Sequence, residues 1–203
     1  MISTFLKRNC SLFSPRSQYY RTKNKKTNYS SSKIIAHFTN LAHTVTNMKN
    51  LPKLIASVVG CELVGLLGTP FTISAIPTWY ATLNKPFFAP PNWLFGPVWT
   101  LLYFMMGVSF FLIWKQGLQK KKIKTASMYF LAQLALNFIW SPIFFGFRAP
   151  LFALVVIVAI WAMIVMTMKK FYPLSRFAFY LLVPYLLWVS FATLLNAAIV
   201  LLN

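Results

Sequence analysis

The stretch PTWYATLNKPFFAPPNWLFGPVW, Pro77 to Trp99, lies between two long apolar runs and decides how the rest of the chain is read. It holds five prolines, the ring donors Trp79, Tyr80, Trp93 and Trp99, and one charge, Lys85. Proline lacks an amide donor and fixes φ, so Pro86, Pro90 and Pro91 interrupt any continuous helix and favour a rigid extended or turning path. Indole and phenol rings, apolar with one polar edge, suit the headgroup region of a bilayer. The stretch is therefore predicted to be a stiff aromatic lid at a membrane surface.

Composition points the same way. The 203 residues are 58% hydrophobic and 18% aromatic, and only 10% are charged, against roughly 25% in soluble domains. A polytopic membrane protein is expected. Twenty Lys and Arg stand against a single acid, Glu62. The basic residues cluster between the apolar runs, and no soluble domain is long enough to present a phosphate-binding face, so nucleic acid is not an expected partner. Cys10 and Cys61 match no metal or redox spacing.

Residues 1–50 are polar, basic and free of acids. Their start, MISTFLKRNCSLFSPRSQYYR, has the composition of an organelle transit peptide. Met48 followed by KNLPKLIASVVG equally fits a start just before the first apolar run, with a dispensable basic extension ahead of it. Both readings stay open, and neither gives these residues a fold.

Five apolar spans follow, each near the roughly 20 residues needed to cross a bilayer core. They run from about Leu54 to Phe71, Phe95 to Trp114, Ala126 to Phe145, Leu151 to Met168 and Phe177 to Leu202. Lipid cannot satisfy exposed backbone groups, so all five must be helices. Domain 51–203 is thus predicted as an all-α integral membrane bundle of five transmembrane helices. Alternate loops divide the basic residues eighteen against two, or 10 against 2 without the residues before Met48. That bias places the amino terminus on the cytoplasmic side and the Pro77–Trp99 loop opposite. No internal repeat suggests an inverted-repeat transporter.

Helical spacing selects the faces that could meet. Ala56 and Gly60, and Gly65 and Gly68, let a neighbouring backbone approach span one, as a packing or dimer seam. Trp99, Tyr103, Met106 and Phe110 share one face of span two. Gln133, Asn137, Trp140 and Phe144 share one of span three, where Pro142 is expected to bend the helix. Span five aligns Trp188, Ala192 and Leu195, with Asn196 adjoining. Aromatic stripes serve packing as readily as ligand contact. Gln133 and Asn137 require partners in hydrocarbon, from other helices or from a ligand. Glu62, mid-membrane, is functional or protonated and hydrogen-bonded.

One acid supplies no carboxylate pair, both histidines lie in the polar extension, and no Cys/His cluster could hold a metal. The remaining feature is an aromatic, weakly polar cavity between helices. It suits a flat hydrophobic ligand that stacks on indoles, with amides or Lys85 at its polar edges.

The segments WYATLNKPFFAPPNWLFGPVWTLLY, ALNFIWSPIFFG and PYLLWVSFATLLN, in that order, resemble the TspO/MBR family over Leu54 to Asn203. The resemblance implies a five-helix membrane fold, often a homodimer, that binds porphyrins such as protoporphyrin and haem, sterols and synthetic benzodiazepine-site ligands. It implies a pocket under the first loop at Trp79, Trp93, Trp99, Asn137, Trp140, Trp188, Ala192, Leu195 and Asn196. Phe152 stands where many animal members have a pocket Trp.

The chain departs from animal members at its end, NAAIVLLN, which lacks the Tyr and Arg of a sterol-recognition consensus, a weak pattern in any case. CELVG around Glu62 is similar to bacterial members, and a bacterial membrane is expected before the mitochondrial outer membrane. The expected function is binding of tetrapyrroles with no required cofactor, coupled to sensing or transport. The partners are a hydrophobic small molecule, possible sterol included, and membrane lipid. Two alternatives are light- or oxygen-dependent breakdown of bound porphyrin, with pocket tryptophans as electron donors, and sterol or lipid translocation without chemistry.

Overall fold

The computed structural model describes residues 50–203; the expectations for the extension before them lie outside the described residues. Helices occupy α1 Leu51–Ala75, α2 Trp79–Thr82, α3 Asn92–Trp114, α4 Lys121–Ser141, α5 Pro150–Phe171, α6 Arg176–Leu181 and α7 Val183–Leu202. A π-helical turn, Pro142–Gly146, extends α4. No strand occurs among the described residues. Five units are long and apolar enough to cross a bilayer: α1, α3, α4 with its π turn, α5, and α6 with α7. The fold is the all-α, five-span membrane bundle expected from the hydropathy.

The spans run longer than the apolar segments alone. The first extends from Leu51 to Ala75 and the third from Lys121 to Gly146, because helical hydrogen bonding continues past the apolar stretch into more polar residues. Proline marks helix starts, where its missing N–H costs nothing: Pro52, Pro142, Pro150 and Pro184 all stand at the first or second position of their elements. Pro142, expected to bend span three, opens a π-helical turn. The ladder widens there, with Phe147 N donating to the Pro142 carbonyl at 2.8 Å. A proline ring blocks the ordinary bond, and the π turn is one way a helix absorbs the loss. Span five breaks at Leu182, just ahead of Pro184. Its first segment is capped by Ser175, whose Oγ accepts from Ala178 N at 3.2 Å.

In the loop between α1 and α3, Pro86, Pro90 and Pro91 keep the chain out of helix as expected. Two of its other prolines behave differently. Pro77 precedes the four-residue helix α2, and Pro97 lies inside α3.

Packing follows a ring. Helix α1 lies on α3 and α4, α5 lies on α4 and α7, and α6 returns to α3. Two glycines make the α1–α3 seam tight. A Cβ on Gly107 would lie 2.6 Å from Val58 Cα and 3.0 Å from the Ser57 carbonyl, and one on Gly65 would lie 2.5 Å from the Tyr103 ring. Gly68 meets Ser141 on α4. Gly60 has nothing within 4 Å and Ala56 is exposed, so this pair makes no close helix contact among the described residues. Large apolar side chains such as Leu66, Val155, Leu187 and Leu201 face outward. That is the arrangement of a protein whose solvent is hydrocarbon, in which tight small-residue contacts replace a hydrophobic driving force between helices.

Candidate functional site

Below the loop the five spans enclose a cavity of about 510 Å³. This lies within the roughly 300–1,000 Å³ range of small-molecule sites. On α1 its wall is the stripe Glu62, Gly65, Thr69, Thr72 and Ile76, one helical face at spacings of three and four. The outer half of α3 contributes Trp93, Gly96, Trp99 and Tyr103; α4 and its π turn contribute Asn137, Trp140, Ser141, Phe144 and Phe145. Ile157 and Ile160 close the α5 side, and Trp188, Ala192, Leu195 and Asn196 the α7 side.

The walls are mostly aromatic rings held by one another. Trp140 stacks on Phe144 with centroids 5.0 Å apart. Trp99 lies over Tyr103 at 5.6 Å and against Tyr185 at 6.4 Å. Trp188 meets Phe95 edge-on at 6.1 Å. Such contacts fix ring positions before any ligand arrives.

A buried polar chain runs beneath the rings and links α3, α4 and α7. Tyr103 Oη donates to Asn137 Oδ1 (3.1 Å), Asn137 Nδ2 donates to Tyr185 Oη (2.7 Å), and Tyr185 Oη donates to Gln133 Oε1 (2.8 Å). The two amides singled out in span three therefore hold helices together, and Asn137 also lines the cavity. The indole Nε1 atoms of Trp140 and Trp188, Gln133 Nε2 and Asn196 Oδ1 are buried without hydrogen-bond partners among the described residues. Asn196 spends its Nδ2 on the Pro150 carbonyl at 2.8 Å, tying α7 to the start of α5.

The loop closes the outer end. Tyr80 on α2 is buried, lines the cavity and packs on Phe144 and Phe145. Burial pushes its phenol above the usual range. Lys85 Nζ sits 4.7 Å from the centre of the Tyr80 ring and outside the cavity lining, a cation over an aromatic face. Phe88 reaches Phe191 on α7 at 6.2 Å. Asn84 is clasped to the end of α7: its N donates to Asn203 Oδ1 (3.0 Å) and its carbonyl accepts from Asn203 Nδ2 (3.1 Å).

Of the residues expected at the pocket, Trp93, Trp99, Asn137, Trp140, Trp188, Ala192, Leu195 and Asn196 come together around the cavity. Trp93 does so from its rim, 72% exposed. Trp79 stands behind the lining, edge-on to Phe144 at 5.7 Å, and supports the wall instead of forming it. Phe152 is 70% exposed on the outer face of α5 and is not part of the lining. Tyr80 and Tyr185 were not identified from sequence as site residues. Tyr185 could have been, since Tyr185, Trp188 and Ala192 share one helical face.

Fold and site together define an integral, multi-pass helical membrane protein with a ligand-sized, aromatic-walled cavity beneath a proline-stiffened loop. The chain belongs to the TspO/MBR family, whose profile matches residues 57–202. It is 46% identical over 154 residues to the tryptophan-rich protein TspO of Archaeoglobus fulgidus, covering 76% of this chain and 99% of that protein. The human translocator protein is 40% identical over 144 residues, covering 70% and 82% of the respective chains. The tryptophan-rich sensory protein of Cereibacter sphaeroides is 38% identical over 139 residues, covering 67% and 85%.

Proposed function

We propose that this protein binds tetrapyrroles such as protoporphyrin and haem in the cavity and couples binding to sensing or transport. The observation that carries this reading is the set of three indoles, Trp99, Trp140 and Trp188, on the walls of one cavity of about 510 Å³. A flat aromatic macrocycle offers faces for those rings, and the few polar groups suit its edges. The names of the relatives, translocator and sensory protein, agree with a role in transport or sensing. In this reading the Pro77–Trp99 loop faces the non-cytoplasmic side, with the basic ends of α4 and α5 in the cytoplasm.

Titration of intrinsic tryptophan fluorescence with protoporphyrin IX and with cholesterol tests the proposal. Saturable quenching by the porphyrin, stronger than by the sterol, is expected. A sterol-only response would replace tetrapyrrole binding with lipid translocation. Illumination of the porphyrin complex adds a second arm, because a stable porphyrin spectrum marks binding alone and a changing one marks breakdown. Labelled-porphyrin flux into proteoliposomes separates transport from sensing.

A further inference from the structure

Glu62 is the sole acid in the chain. It lies in the middle part of α1 and lines the cavity at the deep end of the α1 stripe. Fourteen residues separate it from Ile76 at the loop end, a rise of about 21 Å at 1.5 Å per residue. Other polar side chains on this stripe are already committed. Thr69 Oγ1 donates to the Gly65 carbonyl (3.0 Å), and Thr72 Oγ1 donates to that of Gly68 (3.3 Å). On the facing wall Tyr103 bonds Asn137, Asn137 bonds Tyr185 and Tyr185 bonds Gln133, while the Trp140 and Trp188 indole N–H groups and Gln133 Nε2 have no partner among the described residues. Glu62 is half-buried, and its carboxyl has no hydrogen bond or ion pair among the described residues.

A carboxyl at membrane depth is expensive unless something in the bundle or its cavity partners it. No donor among the described residues bonds Glu62, and the side it leaves open is the cavity it lines. We propose that Glu62 accepts a hydrogen bond from the inner end of the ligand, so that the cavity selects amphiphiles with a hydroxyl or N–H donor at that end.

Basic residues set orientation: ligand carboxylates are drawn toward the loop end, where Lys85 and Arg148 lie in the connecting segments. A porphyrin with both acids on one edge therefore enters with the opposite edge leading, toward Glu62.

This inference rests on the tetrapyrrole reading and is tested with a matched pair of probes. Protoporphyrin IX and haematoporphyrin carry the same two propionates, but on the other edge haematoporphyrin has hydroxyethyl groups where protoporphyrin has vinyls. Full-length protein in lipid nanodiscs is titrated with each by tryptophan quenching. Glu62→Leu is expected to weaken haematoporphyrin roughly tenfold, the upper worth of one hydrogen bond, and protoporphyrin less than about twofold. The unaltered protein is expected to bind haematoporphyrin more tightly than protoporphyrin, and Glu62→Gln, which keeps an acceptor oxygen at the same reach, is expected to retain that preference.

Equal weakening of both porphyrins by Glu62→Leu, no weakening of either, or loss of the preference in Glu62→Gln overturns the role of Glu62 and leaves tetrapyrrole binding standing. Failure of both probes to quench the unaltered protein overturns the tetrapyrrole reading and this proposal with it.

Discussion

Replacing Gly107 with alanine adds one methyl group where the α1–α3 seam brings backbone against backbone. The new Cβ would sit 2.6 Å from Val58 Cα and 3.0 Å from the Ser57 carbonyl, where ordinary contact begins at 3.4 Å. Both neighbours are backbone and cannot rotate away. The helices must therefore separate by about 0.8 Å, the difference between 2.6 and 3.4 Å. Overpacking of this kind costs about 1–3 kcal/mol. At about 2–4 °C per kcal/mol for a domain of this size, the melting temperature should fall by roughly 2–12 °C. The seam also carries Tyr103, whose ring packs on Gly65 and under Trp99, so porphyrin affinity should fall with stability.

The assay is thermal unfolding in detergent, followed by circular dichroism and by cysteine reactivity at buried Cys61. Gly60→Ala is the control. It adds the same methyl where nothing lies within 4 Å, and exchanging glycine for alanine in a helix is favourable by about 1 kcal/mol. If Gly60→Ala and Gly107→Ala destabilise alike, the seam is not set by close backbone approach and the packing argument fails.

Three further outcomes follow from the site. Trp188→Phe should weaken protoporphyrin binding about two- to tenfold, the worth of one aromatic contact, while Phe152→Ala on the outer face should leave it unchanged in the same titration. Asn137→Leu strands the Tyr103 hydroxyl and should cost about 1–3 kcal/mol, read as a lower melting temperature with no change in helix content. The Tyr80 phenol titrates above its ordinary value because it is buried, so the cap is stable below the unfolded value of about 10 and is weakened as pH rises through the folded one. Proteolysis of the loop should therefore accelerate at alkaline pH, and Tyr80→Phe should remove that acceleration.

The membrane character of this chain was legible residue by residue. Apolar runs of sufficient length must be helical in lipid, because no water satisfies their backbone, and the expectation needed no knowledge of contacts. The proline spacing of Pro86, Pro90 and Pro91 likewise stated where helix could not continue, and Pro142 stated where span three would distort. Helical spacing placed Trp99 with Tyr103 and Asn137 with Trp140, since a helix face depends only on local sequence.

What local spacing does not contain is the rotation of one helix against another. A face may look into the bundle or into lipid, and in hydrocarbon both are apolar, so composition does not tell them apart. Trp79 and Phe152 therefore read as pocket residues by resemblance, whereas the packing sets Trp79 behind Phe144 and turns Phe152 outward. For the same reason the small pair Ala56 and Gly60 could not be distinguished from Gly65 and Gly68 until their neighbours were present. Hydropathy and proline chemistry, acting within one helix at a time, determined the five spans and the capped loop. Interhelical contact alone decided which indoles meet across a cavity, that Asn137 bridges two tyrosines, and that Glu62 is left facing open space.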